Sequence, residues 1–170
     1  MVAWARDVGA ISEAQAKRTW GAARQDPAQA RQVLKRAVLL REALYRIFAD
    51  VTQGHAPRRD DLKLLNHELA KAMAYARVVN AREGFRWLWD DSRLPLDHIL
   101  WPVVRSAADL LTVGPLQRVR ECPGAGTCGW MFLDVSKSGK RRWCEMSSCG
   151  NRAKARRHYS RVSGARTSKR

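Results

Sequence analysis

The sequence predicts a mainly α-helical protein of the α+β class, in which a helical domain with a short aromatic β-strand or hairpin precedes a small module that ends in a basic helix. Three observations lead to this prediction. Apolar residues recur at helical spacing through most of residues 1–115, the spacing changes to two around Phe85, and all four cysteines follow residue 115. We therefore expect domains at residues 1–115 and 116–163, with a basic flexible tail at 164–170.

The first domain begins with three predicted helices. The clearest runs from Ala28 to Val51, with Asp26 as its cap and Pro27 at the first helical position. Another runs from Asp61 to Val79. Since each of these two helices has one apolar stripe, we expect them to pack as an antiparallel pair. A shorter helix, from Ser12 to Arg24, precedes them with Ser12 as its cap.

An aromatic segment then interrupts the helical pattern. Phe85, Trp87 and Trp89 alternate with other residues, which predicts a β-strand from Phe85 to Trp89. Alternating large apolar side chains are usually buried, so we interpret the three as core residues; rings stacked on a base or a small ligand are the alternative. The last helix of this domain is predicted from Asp97 to Leu111, where Pro102 either kinks it or marks its true start.

The sequence contains no catalytic motif. Its histidines are scattered, and it has no Gly-rich phosphate loop, nucleophile elbow or zinc-protease helix, so we expect a protein that is not an enzyme. No apolar run approaches the roughly 18 residues of a membrane span. Arg6 and Asp7 interrupt the start too early for a signal peptide. We therefore expect a cytoplasmic protein with no membrane partner.

Positive charge is concentrated in the last third of the chain. The chain has 32 Lys and Arg against 16 Asp and Glu, a net charge of +16. Residues 1–115 contribute +5 of this charge, and residues 116–170 contribute +11. An arginine bias inherited from a GC-rich genome would be spread evenly. The concentration therefore predicts a polyanionic partner, most simply nucleic acid, for the second module.

The same module contains a predicted metal site. Its cysteines form two close pairs separated by a longer span, the pattern of a tetrahedral four-thiolate zinc site: Cys122, Cys128, Cys144 and Cys149. The alternatives are two disulfides, four unrelated thiols or an iron–sulfur cluster. Disulfides are rare in the cytoplasm, the pairing argues against unrelated thiols, and the tighter spacings of iron–sulfur clusters are absent. With four protein ligands, the predicted Zn²⁺ is single and structural.

Around the cysteines we predict a knuckle, a hairpin and a helix, which is a treble-clef-like arrangement. The hairpin would pair Trp130–Val135 with Lys140–Trp143 across a turn at Ser136–Gly139, and the helix would run from Ala153 to Val162 with Cys149 near its start. The basic side chains of the hairpin and the helix are the predicted nucleic-acid contacts: Lys140, Arg141, Arg142, Lys154, Arg156, Arg157, His158 and Arg161. A solvated basic helix without a partner is the alternative.

The segment from Cys122 to Lys154 closely resembles the CGNR zinc finger family. The resemblance rests on Gly129-Trp130-Met131-Phe132-Leu133-Asp134-Val135-Ser136, Arg141-Arg142-Trp143-Cys144-Glu145-Met146 and Cys149-Gly150-Asn151-Arg152-Ala153-Lys154. Upstream, the segment from Ile99 to Leu111 resembles the end of the ABATE domain that accompanies this finger. The resemblance implies a bacterial stress-induced transcription regulator with a DNA-binding finger.

Members of that family usually begin with an extra strand that carries an Asn-Thr motif. This sequence starts with a helical pattern at Val2, because its start is truncated or because it lacks that strand. We therefore expect the strand at Phe85–Trp89 to lack a pairing partner and to leave an exposed aromatic edge.

Within the finger, four residues are predicted to support the structure. Gly150 permits a close backbone approach to the metal site, and Asn151 satisfies a backbone group near the helix start. Arg152 either contacts phosphate or pairs with Asp134 or Glu145, and we prefer the pairing.

The combined prediction is a zinc-containing, DNA-binding transcription regulator. Its helical domain would sense a small-molecule or protein signal or support a homodimer. RNA or ribosome binding by the basic module is the first alternative, and a protein-interaction module for an acidic partner is the second. A small-molecule enzyme or sensor in the helical domain is the third, which a deep polar pocket near Trp87 and Trp89 would favour.

Overall fold

The computed structural model describes residues 1–92, 94–124 and 128–167, with side chains up to Ser160 in the last helix. The chain forms two compact units, one of residues 1–47 with 57–114 and the other of residues 48–56 with 115 onwards. Helices dominate and the strands are few and short, which confirms the predicted mainly α fold class. Among the described helices, none is long and apolar enough to cross a bilayer.

The first unit consists of helices and one β-hairpin. In chain order its elements are α1 (Val2–Asp7), α2 (Glu13–Gln25), α3 (Pro27–Thr52), α4 (Arg59–Met73), the strands β1 (Ala76–Ala81) and β2 (Gly84–Trp89), a 3-10 turn (Leu96–Leu100) and α5 (Trp101–Thr112). The last residues of α3 belong to the second unit.

The helices start where their caps predict. At α2, the Gln15 N–H donates to Ser12 Oγ at 3.2 Å and the Ser12 N–H donates to Gln15 Oε1 at 2.8 Å, a complete capping box. At α3, the Gln29 N–H donates to Asp26 Oδ1 at 2.8 Å. Helix α5 begins at Trp101 with Pro102 in its first turn, so the proline marks the true start of that helix.

Two arginines of α3 hold α4 beside it. Arg36 Nε donates to Glu68 Oε1 at 3.0 Å, and Arg46 Nε donates to Asp61 Oδ2 at 2.9 Å. The earlier arginine of α3 pairs with the later acidic residue of α4, and the later arginine with the earlier one. The two helices therefore run antiparallel, as predicted. The hydrogen bonds from Arg46 lower the pKa of the buried Asp61 carboxyl.

The core of the first unit is built from several small apolar contacts. One buried cluster joins α1, α2, α3 and the 3-10 turn through Ala5, Ile11, Ala16, Val33, Leu96, Ile99 and Leu100. Leu40 and Ile47 of α3, Leu65 of α4 and Val104 of α5 are also buried. On α5, the buried Trp101 stacks on Tyr75 with ring centroids 4.3 Å apart.

The predicted second helix is too long at its C-terminal end. Helix α4 stops at Met73, and residues 76–81 form β1, which pairs antiparallel with β2. Val78 and Val79 favour a strand because they are branched at Cβ, and Gly84 takes a positive φ of 113° beside the two-residue turn. The expectation that the aromatic strand lacks a pairing partner is therefore wrong.

The predicted burial of the aromatic residues is also largely wrong. Phe85 is 79% exposed and Trp87 is 48% exposed. Trp89 is half-buried, with its ring centroid 5.6 Å from that of Trp101. The Arg105 guanidinium lies over Trp87, with its Cζ atom 4.4 Å from the centroid of the Trp87 ring. These contacts cover the hairpin face toward Trp89 and leave it open near the turn.

The second unit contains a short antiparallel ladder and a long helix. A 3-10 turn (Leu116–Arg118) leads into β3 (Val119–Glu121), which pairs with β4 (Met131–Leu133), and a π-helical turn (Met146–Gly150) leads into α6 (Asn151–Thr167). Helix α6 therefore starts earlier than predicted and continues through Gly164, where we predicted a flexible tail. Residues 168–170 lie outside the described part of the chain.

The predicted hairpin between the two cysteine pairs is wrong in its pairing. Strand β4 pairs with β3, with Val119 opposite Leu133, while residues 140–143 form no strand. The reason is the side chain of Asp134, which accepts the Arg141 N–H at 2.9 Å and so occupies the donor that a return strand would use. The predicted turn is present, with the Gly139 N–H donating to the Ser136 carbonyl at 3.2 Å.

Candidate metal centre and basic surface

The four cysteines converge at one point in the second unit. Cys122 follows β3, Cys128 precedes β4, and Cys144 and Cys149 lie before and within the π-helical turn. Their Sγ atoms all lie within 4.8 Å of one another, and both the Cys128–Cys144 and Cys144–Cys149 sulfur pairs are 3.7 Å apart. In a tetrahedron of Zn–S bonds about 2.3 Å long, the sulfur atoms are about 3.8 Å apart. The cluster has the dimensions of a zinc site.

The chemistry of the donors also fits zinc. A separation of 3.7 Å is far above the roughly 2.05 Å of a disulfide bond, and all four thiols are free. Four thiolates form the closed donor set of a structural zinc site, which leaves no position for a reacting molecule. The protein binds one structural zinc ion through Cys122, Cys128, Cys144 and Cys149, as predicted.

Without metal, Cys149 is the cysteine of the cluster that loses its proton first. Burial opposes ionisation of this thiol, but hydrogen bonds to its sulfur from Cys128, Cys144 and Arg152 lower its pKa to about 7. Burial raises the pKa of Cys144 to about 12. Zinc has to displace the remaining thiol protons as it binds, so its affinity rises with pH.

Backbone geometry near the first cysteine pair brings its two thiols together. The Cys122 N–H donates to the Trp130 carbonyl at 2.8 Å, which closes the knuckle beside the β3–β4 ladder. Gly124 has a positive φ of 35°, and a Cβ atom there would lie 2.0 Å from Cys128 Cβ. Only glycine fits at this position.

Asp134 organises the loop that leads to the second cysteine pair. Its side chain is fully buried and accepts three hydrogen bonds, from Ser136 N–H at 2.9 Å, from Ser136 Oγ at 2.6 Å and from Arg141 N–H at 2.9 Å. These bonds, led by that of the Ser136 hydroxyl, lower the pKa of Asp134. By these bonds the carboxylate fixes the conformation of the loop from residue 134 to residue 141.

The other three predicted support residues lie around Cys149. A Cβ atom on Gly150 would lie 2.3 Å from Met146 Sδ, so this glycine permits a close approach to Met146. Asn151 Nδ2 donates to the Ser147 carbonyl at 3.1 Å. Arg152 directs Nη2 to Cys149 Sγ at 3.5 Å instead of to the predicted carboxylates. It therefore lies beside a metal ligand.

Arg141, a predicted nucleic-acid contact, is exposed, but its guanidinium bonds to the main chain of the module itself. Its Nε donates to the Trp143 carbonyl at 2.9 Å, its Nη2 donates to the Cys144 carbonyl, and its guanidinium lies 5.1 Å from the Phe132 ring centroid. Lys140 and Arg142, on either side of it, are also exposed. The sequence signal that we missed is the position of Arg141 three residues before a ligand.

Two further arginines, which the sequence reasoning did not single out, support the module. Arg118 Nη1 donates to the carbonyls of Asp134 and Ser136, at 3.2 and 3.0 Å. Arg120 Nη1 donates to the carbonyls of Gln117 and Val119, at 2.6 and 3.0 Å. Part of the basic excess therefore stabilises the main chain.

The remaining cations lie mainly along α6. Every described side chain from Lys154 to Ser160 is exposed, and Ala153 is buried at the start of the helix. The basic ones are Lys154, Arg156, Arg157 and His158. The predicted contact Arg161 is helical, but its side chain lies outside the described part. We call these four residues, together with Lys140 and Arg142, the basic surface.

A four-thiolate zinc site joined to a helix of exposed basic residues defines this chain as a zinc-finger protein. Comparison with family models agrees with this class. The model described as CGNR zinc finger matches residues 118–162, and the ABATE model, described as "Putative stress-induced transcription regulator", matches residues 1–114. The chain belongs to the ABATE family and carries a CGNR zinc finger. No curated protein matches it.

Proposed function

We propose that this protein is a transcription regulator that binds double-stranded DNA through the basic surface, that it catalyses no reaction, and that it acts in the bacterial cytoplasm. The observation that carries the proposal is the exposure of α6, because every described residue after Ala153 is exposed and three of them, Lys154, Arg156 and Arg157, are cationic. A helix that is polar all round gains little from packing against its own protein.

The dimensions of the module suit a duplex. The major groove of B-DNA admits one α-helix, and the zinc site holds the first turns of α6 through Cys149. Arg157 and His158 lie three and four residues after Lys154, so the three side chains share one face. Lys140 and Arg142 add exposed cations from the loop before the π-helical turn.

Salt dependence gives a quantitative test of this binding mode. If about six phosphate contacts form, the logarithm of the affinity falls with the logarithm of the salt concentration with a slope of about −5. Fluorescence anisotropy of the zinc-loaded chain with a labelled duplex, at several salt concentrations, measures this slope. Absent binding, or binding that salt does not change, contradicts the proposal.

A matched pair of double variants locates the contacts. Lys154→Gln with Arg157→Gln removes two cations from the basic surface and should reduce the size of the salt slope by about 2. Arg31→Gln with Lys35→Gln removes two exposed cations of α3 and should leave the slope unchanged. Both double variants should keep one zinc per chain.

Competition and selection separate DNA from the other partners. An excess of structured RNA should compete poorly, since A-form RNA has a major groove too narrow to admit a helix. Selection from a random DNA pool should enrich a sequence if side chains of α6 reach base edges. Preference for RNA over duplex DNA assigns the surface to RNA and overturns the DNA proposal.

A further inference from the structure

The first unit contains a small cavity that none of the contacts above explains. It has a volume of about 200 Å³ and is lined by residues of α2, by Asp91, Ser92 and Leu94, and by residues of the 3-10 turn. Its polar lining comes from Arg18, Thr19, Asp91 and His98, and its apolar lining includes Leu94 and Leu96. Leu96 also belongs to the buried core cluster, so one wall of the cavity is rigid.

His98 lines this cavity, and the contact of its Nε2 atom within the protein is a long one, to Thr19 Oγ1 at 3.4 Å. His98 is 4% exposed, and its Nδ1 lies 2.8 Å from the Pro95 carbonyl, which can only accept, so Nδ1 carries the proton. Burial lowers the pKa of this imidazole, which is therefore neutral near pH 7 with a lone pair on Nε2. The neutral tautomer needs a hydrogen-bond donor at Nε2.

The neighbouring side chain does not supply that donor. Thr19 Oγ1 is 3.4 Å from His98 Nε2, but its single proton is donated to the Gln15 carbonyl at 2.7 Å. A hydroxyl has one proton, and the shorter contact takes it. An acceptor buried without a donor is unfavourable, so the cavity favours a molecule that brings an N–H or O–H to Nε2.

The described lining of the cavity also includes a positive and a negative side chain, Arg18 and Asp91. Arg18 Nη2 and Asp91 Oδ2 are 3.3 Å apart, and both side chains are more than half exposed. An exposed pair of this kind holds together weakly, so its members are available to a ligand. A ligand that carries a carboxylate and an ammonium group within a few atoms complements both.

We propose that this cavity binds a free α-amino acid whose small side chain carries a hydroxyl or amide donor. The carboxylate would pair with Arg18, the ammonium with Asp91, and the side-chain donor with His98 Nε2. The volume fits such a molecule, since a protein cavity of about 150 Å³ holds benzene and this one is slightly larger. The site lies within the first unit and its test uses no DNA, so it stands apart from the proposed function.

L-Threonine and L-valine form a matched pair of probes, because they have nearly the same shape and only threonine has a hydroxyl. Isothermal titration calorimetry of the full, zinc-loaded chain, with each probe up to about 10 mM, should show threonine binding about tenfold tighter than valine. L-Threonine amide lacks the carboxylate and should lose most of this affinity. Equal binding of threonine and valine, or no binding of either, overturns the proposal and leaves water as the partner of His98.

Variants test each wall separately. Arg18→Gln should weaken threonine binding about tenfold, whereas Arg24→Gln on the exposed part of the same helix should leave it unchanged. His98→Phe should remove the preference for threonine over valine, and His67→Phe, at an exposed histidine, should keep it. If His98→Phe does not fold, Arg18→Gln with its control decides. Unchanged threonine affinity in Arg18→Gln overturns the proposal.

Discussion

In the first unit several arginines pair with carboxylates, whereas in the second several donate to main-chain carbonyls. Arg36 and Arg46 hold α4 through Glu68 and Asp61, while Arg118 and Arg141 donate to backbone oxygens around the cysteines. Further ion pairs of the first unit join Arg18 to Asp91, Arg77 to Asp90 and Arg105 to Asp109. The reason is composition, since the chain has only three acidic residues after residue 115 and one of them, Asp134, is buried.

The interiors of the two units differ in the same way. The large fully buried side chains of the first unit are Leu40, Ile47 and Val104, whereas those of the second are Asp134, Cys122 and Cys149. Apolar burial therefore stabilises the first unit, and a metal site with a buried carboxylate stabilises the second. The outer surface of the second unit can therefore carry exposed cations.

Removal of zinc should have the largest effect, and it should affect only one unit. Structural zinc sites contribute about 10–16 kcal/mol of apparent binding free energy, so Cys149→Ser or strong chelation should unfold the module around the cysteines. Two-dimensional NMR should show loss of dispersion for residues 115–160 and unchanged resonances for α2 and α4. Ser138→Ala, in the exposed turn, is the control. Loss of both sets of resonances contradicts the separation of the two interiors.

The reverse experiment weakens the first unit and spares the metal. Leu40→Ala deletes a side chain that is 2% exposed and should lower the free energy of unfolding of the first unit by about 2–5 kcal/mol. Leu34→Ala, on the same helix but 50% exposed, should change it by less than about 0.5 kcal/mol. Urea unfolding followed by circular dichroism measures both. A fall in zinc content of Leu40→Ala below one per chain would show that the units depend on each other.

A smaller effect is expected from the arginine that supports a metal ligand. Arg141→Lys removes the planar group that binds the carbonyls of Trp143 and Cys144, and should lower zinc affinity by about tenfold or more. Arg142→Lys keeps the same charge at an exposed neighbouring position and should leave the affinity unchanged. Competition with a chromophoric chelator gives both affinities. Equal affinities would mean that Arg141 is a surface cation, as the sequence alone suggested.

The smallest effect concerns the carboxylates of the first unit at low pH. Arg46 lowers the pKa of Asp61 in the folded state. The ionised carboxyl therefore contributes its full stabilisation above the pKa of an unfolded aspartate, about 3.9. This stabilisation is lost as the pH falls through the lower pKa of the folded state. Asp61→Asn should therefore make the free energy of unfolding of the first unit decline less between about pH 5 and 3. The difference should equal the contribution of the Arg46–Asp61 pair.

Asp60→Asn is the matched control, because the Asp60 side chain is 93% exposed. Urea titrations of the two variants and the natural sequence at each pH give the difference, in which the loss of zinc at low pH cancels. Equal slopes for Asp61→Asn and Asp60→Asn would contradict the assigned role of the Arg46–Asp61 pair.

Local signals in the sequence predicted much of this architecture. Caps at Ser12 and Asp26 and the proline at 102 marked helix starts within one or two residues, because each acts through hydrogen bonds or sterics of its own turn. The cysteine spacing likewise predicted the metal centre. The errors concern pairing and burial, as in β1, the partner of β4 and the exposure of Phe85.

By itself, the sequence therefore determined where most helices start, which four residues bind zinc and where the positive charge is concentrated. These properties depend on neighbours along the chain or on residue chemistry. Only the tertiary structure decided that Arg141 bonds to the main chain near the cysteines, that Asp134 organises a loop and that His98 lines a cavity. Each of these properties depends on groups that are distant in sequence or on the direction of a side chain. The local spacing of residues determines neither of these two factors.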